Sequence, residues 1–247
     1  MLNNNVQNMH YKKMCYFYSK STSGKIPLLI LHGWMQNKES WEGIIALLSK
    51  DMDILCPDLP GFGDSKDESF SNFTTEDYSN YLFSFLKDLK IKKINILAHS
   101  FGGRIAIDLT SKHKDIVSNL ILFSSAGIIH KNPYKKIKFL KKIPGSAYIA
   151  GKLRSNDYKN AKEYKNLFLN AISYNAHERL NKINVPTLIL WGDKDRELNI
   201  KDAYIFRDGI KKSVLEIMTN SGHFAHLENP YLFTCIIKKY LKKNDNV

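Results

Sequence analysis

Short, almost purely apolar runs alternate along the chain with longer segments whose apolar residues recur every three or four positions. "IPLLILHG" (26–33), "INILAHS" (94–100), "VSNLILFSS" (117–125) and the start of "VPTLILWGDKD" (185–195) are of the first kind. Runs this short and continuous suit strands covered on both faces, as in a parallel sheet inside a layered domain. The helical kind begins with "KESWEGIIALLSK" (38–50), where Trp41, Ile44, Ile45 and Leu48 share a face. Thr74, followed by Asp77, resembles a capping box and opens a helix carrying Tyr78, Leu82, Phe85, Leu86 and Leu89. Further helices are expected from Phe101 to about Lys112, near 200–209, and from about His226 to Lys242. Residues 9–20 read as a strand or hairpin pair, "DILCPDLPGFGDS" (53–65) as a short strand broken by prolines and glycines, and "SVLEIM" (213–218) as the last strand.

Strands alternating with helices of about 10–15 residues predict βαβ units, and so an α/β fold with a mostly parallel, doubly wound sheet. The alternation lapses after Gly127. Residues 128–182 hold no run that suits a buried strand; they are rich in lysine and tyrosine and punctuated by Pro133, Pro144, Gly145 and Gly151. The expected organisation is a core of residues 1–127 and 183–247 with an inserted helical cap at 128–182. Internal repeats and low-complexity linkers are absent from the sequence.

Composition adjusts this picture in three places. A hydrophobic fraction of 43% and an aromatic fraction of 12% are those of a globular chain. No apolar run reaches the roughly 18 residues that span a bilayer, and the first residues lack the blocks of a signal peptide, so a cytoplasmic location is expected. Cys15, Cys56 and Cys235 are far apart and form no Cys-x-x-Cys pair, which points to reduced thiols and away from a metal site; no cofactor is expected. The formal net charge of +13 is mostly lysine in a chain also rich in asparagine and isoleucine. Nucleic-acid readers favour arginine for bidentate contacts, and arginine is scarce here, so no nucleic-acid partner is expected.

The candidate chemistry lies where strands end. Ser100 closes "INILAH" and begins a helix, so N–H groups and the helix dipole converge beside it. Ala98 and Gly102, two positions either side, are small, as a sharp strand-to-helix turn requires. Read alone, Ser100 is a nucleophile or an ordinary N-cap. A serine nucleophile needs a histidine base and a carboxylate to orient it. His223 stands directly after "SVLEIM", with Gly222 before it, whereas His226 suits a packing or capping role. The loop "WGDKDRE" (191–197) offers Asp193, Asp195 and Glu197; Asp195 has the longer reach. His32-Gly33 permits a close turn that aims the Trp34 N–H at a substrate oxygen, beside the Phe101 N–H. Asp58 is expected to hold loops together.

Five pieces in order, "HGW" (32–34), "DLPGFGDS" (58–65), "AHSFGG" (98–103), "WGDKD" (191–195) and "GHFAHLENP" (222–230), resemble the α/β-hydrolase family. The resemblance implies Ser100 as nucleophile, Asp195 as acid, His223 as base, Trp34 and Phe101 as oxyanion-hole N–H donors, and a helical lid at 128–182. Ala98 stands where the family usually has glycine, and the loop after Asp195 lacks a commonly found proline. The "HGWMQ" loop lacks the extra glycines of lipase-type oxyanion holes.

The expected activity is hydrolysis of a carboxylic ester or thioester through an acyl-enzyme. Carbon–carbon bond hydrolysis on the same fold is the enzymatic alternative, and a ligand-binding protein without turnover is the other. His32, Trp34, His99, Tyr134, Tyr148 and Phe168 are the expected pocket residues. "YKKIKFLKKI" (134–143) could form an amphipathic basic helix that meets an acidic acyl-carrier protein or an anionic surface. A solvated cap in a lysine-rich chain is the plainer reading.

Overall fold

The continuous apolar runs become the centre of a single sheet. The structure, a computed structural model, describes residues 6–130 and 157–244, with side chains from 164 onward in the second span. In chain order the strands are β1 (Val6–Tyr11), β2 (Met14–Ser19), β3 (Leu28–Leu31), β4 (Ile54–Pro57), β5 (Ile94–His99), β6 (Val117–Phe123), β7 (Thr187–Gly192) and β8 (Ser213–Met218). Their spatial order is β1-β2-β4-β3-β5-β6-β7-β8. β1 and β2 form an antiparallel hairpin, β2 pairs antiparallel with β4, and the pairs from β4 to β8 are parallel. Every residue of β3, β5 and β7 is buried, which explains why they are mostly apolar. β8 alternates between half-exposed and exposed positions until its last residue, as suits the sheet edge.

Helices cover both faces: α1 (Glu42–Leu48), α2 (Thr75–Asp88), α3 (Phe101–Lys112), α4 (Asp157–Ser173), α5 (Ile200–Gly209), α6 (Ala225–Glu228) and α7 (Pro230–Asn244). Tyr78, Leu82 and Phe85 of α2, Ile105 and Leu109 of α3 and Phe206 of α5 share one core layer. Ile44 and Leu48 of α1 and Phe233, Ile237 and Leu241 of α7 build the other. The capping box of α2 is formed: Thr74 Oγ1 accepts the Asp77 N–H at 3.2 Å, and Asp77 returns by accepting the Thr74 N–H at 2.9 Å.

Two helices differ from expectation. The segment expected as one helix over 38–50 opens as a 3-10 turn, Lys38–Trp41, before α1 begins. The last helix is divided into α6 and α7 at Asn229-Pro230, because proline has no N–H to donate to the preceding turn. Among the described residues no helix is long and apolar enough to cross a membrane.

Strand order reverses at β3: β4 lies on one side and β5 on the other, with Leu31 beside Ala98 in the parallel register. Such a reversal opens a crevice at the carboxyl ends of the strands, where ligands bind in open α/β sheets. The loops that follow β3, β5, β7 and β8 all emerge there. α4, within the segment expected as a cap, is tied to this end of the core. Tyr164 donates to the Gly61 carbonyl at 3.2 Å and Asn170 to that of Asn72 at 2.8 Å. Arg104 donates to the Ala171 and Tyr174 carbonyls at 2.6 and 3.1 Å, satisfying acceptors at the carboxyl end of α4. Tyr134, Tyr148 and the lysine-rich stretch 134–143 lie outside the described residues.

Candidate active site

Ser100 occupies a backbone conformation that L-residues rarely adopt, with φ 49° and ψ −111°. Holding it there costs about 1–3 kcal/mol, so its surroundings must fix it. They do so with three backbone bonds: Ser100 donates to the Phe123 carbonyl at 3.1 Å, and its own carbonyl accepts the Gly103 and Ala126 N–H groups at 3.0 Å each. The turn admits no larger residue at Gly102, where a Cβ would stand 2.6 Å from the Leu31 carbonyl oxygen and 2.8 Å from that of His32. The Ser100 hydroxyl makes no capping bond to α3, so the ordinary N-cap role is not the one it plays.

Nδ1 of His223 lies 2.9 Å from Oδ2 of Asp195. The loops that carry them are brought together because β7 and β8 pair as far as Gly192 and Met218. Asp195 holds its place without the missing proline: its Oδ1 accepts the N–H groups of Glu197 and Leu198 at 2.9 and 3.0 Å. Burial acts to raise the Asp195 carboxyl, but the hydrogen bonds from His223 and the Leu198 N–H outweigh it and hold the pKa below the ordinary carboxylate range. Asp193 does different work, accepting the Ser221 N–H at 3.1 Å and so binding one loop to the other. With Nδ1 committed to Asp195, Nε2 of His223 is the nitrogen left for proton transfer. The His223 ring lies 4.7 Å, centroid to centroid, from His99, the residue before Ser100. No direct hydrogen bond joins Ser100 Oγ to His223 among the described residues; such bonds often tighten only around substrate.

The N–H of Phe101 is the first of α3 and has no acceptor within the helix. The Trp34 N–H donates to no acceptor among the described residues. Gly33, before it, is pinned by its N–H bond to Gln36 Oε1 at 2.7 Å.

The α/β-hydrolase fold family matches residues 26–147. A membrane phospholipase A described as a bacterial virulence factor superposes with a TM-score of 0.81 at 22% identity, over 98% of this chain and 87% of that one. The chain is an α/β-hydrolase-fold protein. Its relatives include the monoacylglycerol lipase ABHD6 of Homo sapiens, 24% identical over 98% of this chain and 83% of the relative. A serine hydrolase involved in carbazole degradation has a TM-score of 0.76 at 22% identity, covering 96% of this chain and 98% of that one.

In this α/β-hydrolase fold, two residues expected in the pocket, His32 and His99, are buried and hydrogen-bonded to the protein itself. His32 is fully buried: Nδ1 faces the Gly33 carbonyl at 2.8 Å and Nε2 accepts the Leu59 N–H at 2.9 Å. Burial pushes its pKa down to about 4, so the ring is neutral and fastens the loop after β3 to the loop after β4. His99 is likewise enclosed, stacked on Phe123 with ring centroids 4.7 Å apart. Backbone and side-chain groups of the protein face all four of their ring nitrogens. His226 matches its expected packing role, lying stacked on Trp41 at 4.3 Å.

The expected pocket residues Trp34 and Phe168 do meet, with ring centroids 5.5 Å apart, and Phe168 is 42% exposed. Trp34 also packs edge-on against Phe62 at 5.1 Å and Phe101 at 5.3 Å, and Phe62 stacks on Tyr164 at 5.8 Å. Phe62 joins this cluster from the "PGFG" turn, and its place in that motif is the sequence signal for it.

Asp58 holds loops, as expected, but its main partner is unexpected. The Lys38 ammonium is completely buried and contacts Asp58 at 2.9 Å, Asp64 at 2.6 Å and Glu39 at 2.7 Å. Asp58 also accepts the backbone N–H groups of Lys38 at 2.6 Å and Asp64 at 2.8 Å. Glu39, Asp58 and Asp64 are the one group among the described residues with oxygens close enough to share a metal ion. The Lys38 ammonium already supplies the positive charge there. Burial opposes that charge, but bonds to Asp64, Glu39 and Asp58 outweigh it and raise the ammonium above the ordinary lysine range.

Proposed function

We propose that this protein is a serine hydrolase of carboxylic esters, working through an acyl-enzyme. The observation that carries the reading is the Asp195–His223 pair at 2.9 Å, held at the strand ends beside the constrained Ser100 turn. Ser100 Oγ attacks the ester carbonyl while His223 Nε2 takes its proton, and Asp195 steadies the imidazolium that results. The N–H groups of Trp34 and Phe101 receive the negative charge that develops on the carbonyl oxygen. Collapse of the tetrahedral intermediate expels the alcohol, which takes the proton from His223. Water then attacks the acyl-enzyme with His223 as base, releasing the acid and restoring Ser100. A thioester is cleaved by the same steps with a thiol as leaving group.

The rings of Trp34, Phe62, Phe101 and Phe168 favour an apolar acyl group, and a monoacylglycerol lipase among the relatives supports an acyl ester. The basic stretch 134–143 is proposed to meet an acidic acyl-carrier protein or an anionic surface. The test is a panel of short- and long-chain p-nitrophenyl esters, carrier-bound esters, thioesters and 1,3-diketones, assayed with wild type and Ser100→Ala at two salt concentrations. Ester turnover lost in Ser100→Ala supports the reading; turnover confined to diketones, or none at all, overturns it. Equal rates on carrier-bound and free esters, insensitive to salt, remove the docking role of the cap.

A further inference from the structure

His99 stands between two hydrogen-bond acceptors. Its Nδ1 lies 2.9 Å from Gln36 Oε1 and its Nε2 lies 3.0 Å from the His223 carbonyl oxygen. The Gln36 amide cannot turn round to relieve this, because the same Oε1 accepts the Gly33 N–H at 2.7 Å. An NH2 group there would face that N–H with a second donor. Titratable neighbours are the rings of His223 at 4.7 Å and His226 at 5.2 Å, with His32 beyond them. No carboxylate bonds to His99 among the described residues. Burial first, and then the rings of His226 and His223, hold its pKa well below the ordinary histidine value. The ring is therefore neutral and has one proton for two acceptors.

Those acceptors belong to two different parts of the site. Gln36 and Gly33 bracket Trp34, whose N–H is an oxyanion donor in the reading above. The other acceptor is the backbone of His223 itself, and no second donor reaches that carbonyl among the described residues. His99 also leads directly into Ser100, so all three parts meet at one imidazole.

We propose that His99 is a positioning residue that sets the spacing between the oxyanion-hole loop and the loop of the general base. It acts through Gln36 on one side and the His223 carbonyl on the other. The proposal rests on the roles assigned above to Ser100, His223 and the Trp34 N–H. Loss of the bridge leaves substrate binding in place but loosens the geometry that only the transition state uses.

The test is steady-state ester hydrolysis by the whole protein, with thermal midpoints measured beside it. His99→Phe keeps a ring against Phe123 and removes the two ring nitrogens that face the acceptors. It is expected to lower kcat about tenfold or more with KM within about twofold. His99→Asn places an amide near the position of Nδ1 and His99→Gln near that of Nε2, so each recovers part of the lost rate. Gln36→Leu also lowers kcat, and it provides the reading if the His99 variants fold poorly. In the His99→Phe background Gln36→Leu costs less than it does alone, and what remains is the loss of its separate bond to the Gly33 N–H. Wild-type kcat in His99→Phe and Gln36→Leu, with turnover still dependent on Ser100, overturns the proposal alone. So does a loss that Asn and Gln do not relieve, or one that multiplies independently in the double variant. Turnover that survives Ser100→Ala overturns the underlying reading, and the proposal with it.

Discussion

Asp195 Oδ2 and His223 Nδ1 are 2.9 Å apart although 28 positions separate the two residues along the chain. What joins them is the pairing of β7 with β8, plus a cross-loop bond from the Ser221 N–H to Asp193. The contact is therefore a property of the sheet edge and not of a flexible loop.

Removing the charge tests the pair. Asp195→Asn keeps the shape but no longer stabilises the imidazolium, and kcat on an ester falls by about 10³-fold or more. The folded carboxyl has a depressed pKa, so its stabilising contribution is complete above the unfolded carboxylate pKa. It is lost as pH falls through the lower, folded pKa. Denaturation of wild type and Asp195→Asn should therefore differ near neutral pH and converge in acid; a gap that persists at low pH contradicts the pair.

Ser100 holds a positive φ that folding opposes. Glycine adopts a positive φ freely, so Ser100→Gly should be more stable than Ser100→Ala by about 1 kcal/mol, although both are inactive. Denaturant midpoints of the two variants decide this. Equal midpoints mean the turn is unstrained.

The Lys38 ammonium is buried among three carboxylates. Lys38→Met leaves Asp58 buried with an unpaired charge and should cost about 3 kcal/mol. Adding Asp58→Asn removes that charge and recovers part of the loss. Chemical denaturation of the single and double variants measures both, and a mild effect of Lys38→Met with no recovery contradicts the clamp.

His226 offers a pH test. Burial first, and then the neighbouring His223, push its pKa down to about 3 from 6.5. Folded His226 stays neutral while the unfolded ring takes a proton below about 6.5, so stability is lost as pH falls between those values. At pH 5 the cost is about 2 kcal/mol by linkage. His226→Phe keeps a ring beside Trp41 and removes the titration, so its stability relative to wild type should improve from pH 8 to pH 5. An unchanged difference across that range contradicts a neutral buried ring.

Much of the sheet and the order of the candidate triad were legible in the sequence because each informative residue followed a recognisable strand. Ser100, Asp195 and His223 could be placed at strand ends without knowing what lay beside them. The roles of His32 and His99 could not. A polar ring at a strand end faces outward or inward according to whether distant groups satisfy its nitrogens, and Leu59, Gln36 and the His223 carbonyl do so from other loops. Lys38 reads as a solvated charge at a helix start, since Asp58 is 20 positions away. Asp193 and Asp195 were both plausible by position, and only their partners separate them. The break at Asn229-Pro230 was hidden by apolar spacing that continues across it.

The central claim is that Ser100 is a nucleophile activated by His223, and fluorophosphonate labelling followed by peptide mass analysis tests it most directly. Wild type should carry the probe on Ser100, Ser100→Ala should carry none, and His223→Ala should label at least about 10²-fold more slowly. Failure of wild type to label, or labelling that persists in Ser100→Ala, would contradict the account.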